Sequence, residues 1–383
     1  MEKNKRIAII GGGPGGLTLA RLLQLKGADV KVYERDFDQE NRIQGATLDL
    51  HEESGLEALR RAGLMTEFYA NYRPGAGKMR IMDKDAVIKM DWDESGDLVD
   101  DRPEIDRGPL RNILLESLHA DTVVWDSQYL SMVLEENQWH LQFKNGSSAI
   151  ADIVIAADGA KSKIRPLLST IAPVYSGITI VEGNVYRADI NAPVLQKLLD
   201  GGKIFAFGEG KSLILSAKGD GSLSFYTGSR VEESWLRDCG IDFSDKSQVF
   251  EWFKKEFGSW DQVWQELFQG EEVSFVPRPQ YYFPLDQRWE TQPNLTMIGD
   301  AAHVMPPYAG EGVNMAMQDA MELSECLNNV EFPTIQAAIA QYEKQMLSRA
   351  ATVTQMTLDS TEMLHSDDAA RRLIQLFNEF DGH

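Results

Sequence analysis

The run from Arg6 to Gly16 constrains the fold more than any other stretch of the chain. Arg6-Ile7-Ala8-Ile9-Ile10 is short, apolar and rich in β-branched residues, and it breaks into Gly11-Gly12-Gly13-Pro14-Gly15-Gly16. Leu17, Leu19, Ala20, Leu22 and Leu23 then take up helical spacing. That order reads as strand, glycine turn, helix. Gly11, Gly13 and Gly16 fit G-x-G-x-x-G: the first allows a tight turn, the second lets a pyrophosphate approach the backbone, and the third brings helix and strand close. A second strand, Asp29 to Tyr33, ends in Glu34, 18 residues past Gly16, close to where an acidic group accepts hydrogen bonds from an adenosine ribose. Glycine turns also occur for steric reasons alone. This one, between two predicted strands and followed by an acid, points to dinucleotide binding.

The chain has 383 residues, enough for two or three units of ordinary size that can be interleaved in sequence. Its net charge of -21 repels nucleic acid and anionic membrane surfaces, and no basic patch offsets it. Cys239 and Cys326 match no metal-ligand spacing, which suits a reducing cytoplasm. The apolar start is too short for a signal peptide, and no run is long enough to span a membrane. We therefore expect a cytoplasmic monomer without nucleic-acid or membrane partners and without a metal.

Further along, Leu48 to Ala62 has helical spacing, and Arg73 to Val99 turns to short alternating runs that leave the parallel core for a second sheet. The pattern predicts a helix from Arg107, with Pro109 in its first turn. A hairpin follows at Trp139 to Phe143 with an Asn145-Gly146 turn, then a doubly buried strand at Ile153 to Ala157. Residues 174 to 289 read as a mostly antiparallel sheet covered by one amphipathic helix, Phe250 to Leu267. Leu295 to Ile298 is the last core strand, Asn314 to Leu327 a helix, and the tail from Thr334 to Phe380 is helical in pattern.

Three strands end in small or acidic residues: Ile10 before Gly11, Ala157 before Asp158-Gly159, and Ile298 before Gly299-Asp300. Ligands of open parallel sheets sit at carboxyl strand ends, so these sites should converge. Taken singly, Asp158-Gly159 could be a turn, Arg107 and Arg111 could share a solvated helix face, and His303 reads as structural.

The set of motifs resembles the FAD-dependent aromatic hydroxylase class of flavoprotein monooxygenases. It comprises the glycines with Glu34, the D-G-x-x-S-x-x-R pattern at Asp158, Gly159, Ser162 and Arg165, and Gly299-Asp300-Ala301-Ala302-His303 running into Pro306-Pro307. Ala46 to His51, Pro103 to Arg107 and the stretch GDAAHVMPPYAGEGVN look most like the tetracycline-inactivating flavin monooxygenases. The implied fold is α/β: a Rossmann-like FAD-binding domain (1–72, 100–173 and 290–330) interleaved with a mostly antiparallel β-sheet substrate domain (73–99 and 174–289). A C-terminal helical segment, 331–383, would bridge the two.

The resemblance also implies roles. Gly11, Gly13, Gly16, Glu34, Arg35, Asp49, Arg107, Arg111, Asp158 and Asp300 would bind FAD. Arg42 would contact NADPH, and Pro307, Gly310, Gly312, Val313 and Asn314 would bring a helix start to the pyrimidine edge of the flavin. A helix start there has its own physical rationale, since reduced flavin is anionic at that edge. NADPH would reduce FAD, O2 would add at flavin C4a, and the hydroperoxide would hydroxylate an aromatic or polycyclic small molecule, tetracyclines included, with no catalytic side chain required. Substrate-lining candidates are Glu182, Asn184, Phe207, Leu215, Phe225, Tyr282 and Pro307. An FAD dehydrogenase or oxidase without oxygen transfer, or a non-catalytic dinucleotide-binding redox sensor, are the alternatives.

Overall fold

The strand Arg6–Ile10 occupies the centre of a five-stranded sheet ordered Leu295–Met297, Ile153–Ala156, Arg6–Ile10, Asp29–Tyr33, Val123–Val124, with every pair parallel. The computed structural model describes residues 5–39, 46–92 and 102–381. All four residues of Ile153–Ala156 are buried, as an apolar strand covered on both faces should be. Helices Pro14–Leu25 and Gly312–Asn328 pack against one another at the strand ends, so their N-termini open on the same edge of the sheet.

A second sheet has seven strands, ordered Val273–Tyr282, Val174–Val185, Leu223–Arg230, Lys211–Ala217, Lys203–Gly208, Met79–Asp83, Ile88–Trp92. Only the Lys203–Gly208 and Met79–Asp83 pair is parallel. The two-residue period of a strand sends alternate side chains to opposite faces. Val181, Leu213, Leu215, Phe225 and Phe275 form one face and pack with Phe253, Trp264 and Phe268, from Lys246–Glu256 and the short helical turns that follow it. The other face looks back at the parallel sheet. The expected two-sheet α/β architecture is present.

Several elements differ from the sequence expectation. Leu48–Asp49 is not helical but pairs antiparallel with Glu104–Ile105, and a wide π-turn, Glu52–Leu56, precedes the helix Glu57–Ala62. The expected helix over Phe250 to Leu267 is broken: Lys246–Glu256 ends before Gly258, and two short turns, Gln262–Gln265 and Glu266–Gln269, follow. The hairpin gains a third strand, Tyr129–Glu135.

The tail forms two helices. Ile335–Leu364 lies along the parallel sheet, where the Tyr342 hydroxyl donates to the Met297 carbonyl at 2.9 Å. Ala369–Asp381 covers the edge of the second sheet through Leu373 and Phe377, packed with Ile81 and Phe207. Among the described residues no helix is long and apolar enough to cross a membrane.

Candidate active site

Each glycine of the first turn meets a different constraint. Gly11 has φ +116°, and a Cβ there would overlap the Ala157 carbonyl oxygen; a Cβ on Gly16 would overlap the Gly11 carbonyl. A Cβ on Gly13, the N-cap of Pro14–Leu25, would meet nothing within 4 Å. Nothing in the fold requires Gly13 to be small, while Gly11 and Gly16 are small for the fold itself. The buried Glu34 carboxylate accepts from the Gly12 amide at 2.5 Å and from the Asp36 amide at 3.1 Å, bracing the turn. Arg35 beside it is exposed.

The second and third motifs are joined by Arg165. Its guanidinium, buried and held 3.3 Å from the Phe283 ring centroid, donates to the carbonyls of Ala301 and Ala302 and to Gln287 Oε1. Burial pulls its pKa down to about 10. Asp158 accepts from the Lys163 amide at 2.8 Å and so braces its own turn. Burial holds the Asp158 carboxyl above the usual range.

Asp300 begins the turn Asp300–His303. Its carboxyl is reached by water yet surrounded by protein, so desolvation raises its pKa against the opposing charges of His303 and Arg107. Ala316 ties the two glycine turns together, because a Cβ on Gly15 would come 2.9 Å from its carbonyl oxygen and one on Gly299 would come 3.0 Å from its methyl. Gly13 and Asp300 thus share one cleft, and the field of Arg107 reaches into it.

Arg107 heads the helix Arg107–Glu116 and is exposed, its Nε donating to the Ala46 carbonyl at 3.0 Å. Arg111, one turn on, is held by protein partners. It is buried, donates to the Gln39 carbonyl at 2.7 Å, pairs with Asp36 at 3.4 Å and lies over Trp125, so it braces the loop after Glu34. Arg42 lies outside the described residues.

The loop after His303 carries exposed Pro307 and Gly310, the latter at φ +72° with the Asp49 carboxylate 3.3 Å from where its Cβ would be. Gly312 and Val313 open the helix Gly312–Asn328, and a Cβ on Gly312 would again meet nothing within 4 Å. Asn314 sits in the first turn of that helix, as a helix-start residue should. Its side chain is fully buried, donating to the Asp49 carbonyl and accepting from the His51 amide, both at 2.9 Å, which leaves only backbone for a ligand. Burial tends to raise the Asp49 pKa, but the hydrogen bond from His51 and the charge of Lys203 bring it below the usual value.

The face of the second sheet that looks at this cleft is fixed by register. One row runs Glu182, Tyr226, Ile214, Phe205, and the next runs Ile180, Gly228, Ser212, Phe207. Tyr226 accepts a hydrogen bond from the Ala46 amide at 3.3 Å, which binds the first row to the cleft. Leu215 and Phe225 are corrected: both point the other way, into the core beneath the sheet. Their neighbours Ile214 and Tyr226 face the cleft instead, a one-residue offset that reverses the face.

Glu182 is on the facing row and pairs with Arg278, a residue the sequence reading did not single out. Asn184 is on the same face, buried, with Oδ1 unpartnered among the described residues. Phe207 is covered by the last helix, and Tyr282 sits at the far end of its strand, paired with Val174. Phe205, Ile214, Tyr226 and Val276 are partly open on this face, and Arg278 is exposed. Among the described residues no cluster of potential ligands could hold a metal ion.

The open cradle at Gly13, the acid at Glu34 and the helix start at Gly312 suit a flavin dinucleotide, laid along the strand ends with its ring toward a second sheet. These features define a flavoprotein of the two-sheet type. The chain belongs to the FAD binding domain family, whose model matches residues 4–357. It is similar to Monooxygenase penA of Penicillium thymicola, 26% identical over 96% of this chain and 97% of that protein. It is equally similar to the 6-hydroxynicotinate 3-monooxygenase of Pseudomonas fluorescens, 26% identical over 96% and 94%. Among solved structures it shares its fold with tetracycline destructase Tet(55), with TM-score 0.75 and 19% identity over 94% of this chain and 90% of that one. Family and relatives together make the chain a flavoprotein monooxygenase.

Proposed function

We propose that the protein uses NADPH and O2 to hydroxylate an aromatic or polycyclic small molecule held between the seven-stranded sheet and the flavin, with tetracyclines among the candidates. The observation that carries this reading is the facing of the two surfaces: Arg107, Asp300 and the Gly310–Gly312 loop on one side, Phe205, Ile214 and Tyr226 on the other.

Bound FAD would supply the redox chemistry, accepting hydride and activating O2. The chain's own residues do the rest. Gly13 and the helix start behind it would take the pyrophosphate on free N–H groups, and Glu34 would meet the ribose. Arg107 and Asp300 would flank the middle of the cofactor, one cationic and one anionic. The helix start at Gly312 would set N–H donors and a positive dipole end against the edge where reduced flavin is anionic. The apolar middle of the sheet face would orient the substrate ring and keep water from it.

The test is turnover. Protein loaded with FAD should oxidise NADPH faster when a substrate from a panel of tetracyclines, phenols and hydroxypyridines is present. Isotopically labelled O2 should leave one labelled oxygen in the product. Protein that takes up no flavin, or product free of label despite NADPH oxidation, overturns the reading.

A further inference from the structure

The turn that presents Asp300 to the cleft is held from behind by one carboxylate. Asp319, on the helix Gly312–Asn328, has no exposed surface and is met by three groups. Its Oδ2 accepts from the Gly299 amide at 2.8 Å and lies 2.6 Å from His303 Nε2, and its Oδ1 accepts from Arg349 at 2.6 Å. The first two contacts clasp the turn Asp300–His303 at both of its ends. Burial works against the ionised carboxyl, yet His303, Arg349 and the Gly299 amide outweigh it, and its pKa lies below the usual value.

The third group comes from far along the chain. Arg349 stands at the middle of the tail helix Ile335–Leu364 and divides its two terminal nitrogens between Asp319 and Glu322, which are one turn apart on the same helix. Gly299 itself sits at φ +60°, and a Cβ there would come 3.0 Å from the Ala316 methyl. Ala316 and Asp319 are three apart and share a helix face. The peptide ahead of Asp300 thus has a steric stop from one residue of that face and its acceptor from the other.

Stability alone does not call for charge at this point. Apolar residues of similar volume often match a buried ionic cluster, because desolvating the charges offsets their attraction. What the cluster provides is direction: a buried carboxylate with three fixed partners admits one setting of the Gly299 amide.

We propose that Arg349, acting through Asp319, is a positioning residue for FAD, setting the Gly299 peptide and with it the Asp300 carboxylate that flanks the middle of the cofactor. The tail helix is thereby a working part of the cofactor site. The inference rests on the flavin reading of the cleft and adds a group outside the cleft that governs cofactor affinity. Arg349 as a plain fastener of the tail predicts lost stability with FAD affinity untouched.

The experiment titrates apoprotein with FAD and reads flavin fluorescence, at a temperature where melting curves show each variant folded. Arg349→Met should weaken FAD about tenfold, the range of one buried hydrogen bond. Arg349→Lys keeps a cation for Asp319 but not the fork, and should lose no more than about threefold. Asp300→Ala should weaken FAD by itself, and in that background Arg349→Met should add less than about twofold, because both act through one group. Should Arg349→Met not fold, Arg349→Lys is read in the same two backgrounds, and its loss should vanish beside Asp300→Ala. Ile339→Ala thins the tail's packing on the core about 15 Å along the helix from Arg349, and should lower the melting temperature while FAD affinity holds. Unchanged affinity in Arg349→Met, losses that add to those of Asp300→Ala, or an equal loss in Ile339→Ala overturns the proposal and leaves the monooxygenase reading standing. Unsubstituted protein that takes up no FAD overturns both.

Discussion

Arg165 donates to the carbonyl of Ala302 at 2.9 Å, and through that bond the second sequence motif holds the third in place. The pair lies 137 residues apart in the chain, yet it sets where the Asp300 turn stops.

Replacing Arg165 by Met keeps much of the bulk over Phe283 but leaves the Ala301 and Ala302 carbonyls and Gln287 unmet. Unfolding should cost about 2–4 kcal/mol less than in the unchanged protein. FAD should bind about tenfold more weakly as the Asp300 turn loosens, by roughly the free energy of one lost hydrogen bond. Denaturant melts and flavin fluorescence titrations read the two effects.

Gly13→Ala and Gly16→Ala should separate binding from folding. The first adds a methyl where the protein has open space, so the melting curve stays put while FAD affinity falls. The second drives a methyl into the Gly11 carbonyl and should destabilise by about 1–3 kcal/mol, the usual range for overpacking. Equal stability loss in both variants would contradict this division.

His303 and Asp319 form a buried pair at 2.6 Å, with Arg349 on the other carboxylate oxygen, also at 2.6 Å. Burial lowers the His303 pKa, but the charge and hydrogen bond of Asp319 more than offset it, and the net shift is upward from 6.5. A raised folded pKa means the pair's contribution is complete below about 6.5 and fades as pH rises through the higher folded value. The stability difference between the unchanged protein and His303→Gln should therefore shrink with rising pH. A difference that grows with pH counts against the assignment.

His365 shows the opposite sign. It is 3% exposed, takes a hydrogen bond at 3.1 Å from Ser212 and directs Nδ1 at the Thr361 carbonyl, 2.8 Å away. Burial lowers its pKa from 6.5 to about 4. Stability is full above the unfolded value and drains as pH falls toward 4, by about 3 kcal/mol at about 1.4 per unit. Its ring stacks edge-on with Tyr308 at 4.8 Å, so acid should loosen the last helix and the Pro307–Tyr308 loop together. Hydrogen exchange at pH 7 and pH 5, with His365→Gln as the insensitive control, reads this.

The nucleotide-binding half was legible because its signals are local. A strand, three glycines and a helix stand within twenty residues, and each glycine answers to one steric demand. Leu48 to Ala62 misled for the converse reason: apolar spacing compatible with a helix cannot reveal that Leu48–Asp49 pairs with Glu104–Ile105 across the chain. Leu215 and Phe225 failed on parity. In strands buried on both faces, size and polarity do not mark which face meets the ligand, and only register does. The side chains of Arg111 and Asn314 also hold protein partners, which no spacing discloses. Arg278 had a faint signal, an arginine inside a strand near the only acid of the facing row.

The five-stranded parallel sheet is finished late. Its edge strand Leu295–Met297 is made after both long runs of the seven-stranded sheet, and that sheet itself joins Met79–Asp83 to Lys203–Gly208 across more than a hundred residues. A chain emerging from a ribosome cannot complete either layer until nearly three hundred residues are out. The Ile153–Ala156 and Val174–Val185 edges stay open for that time, so folding should be slow for reasons of connectivity alone.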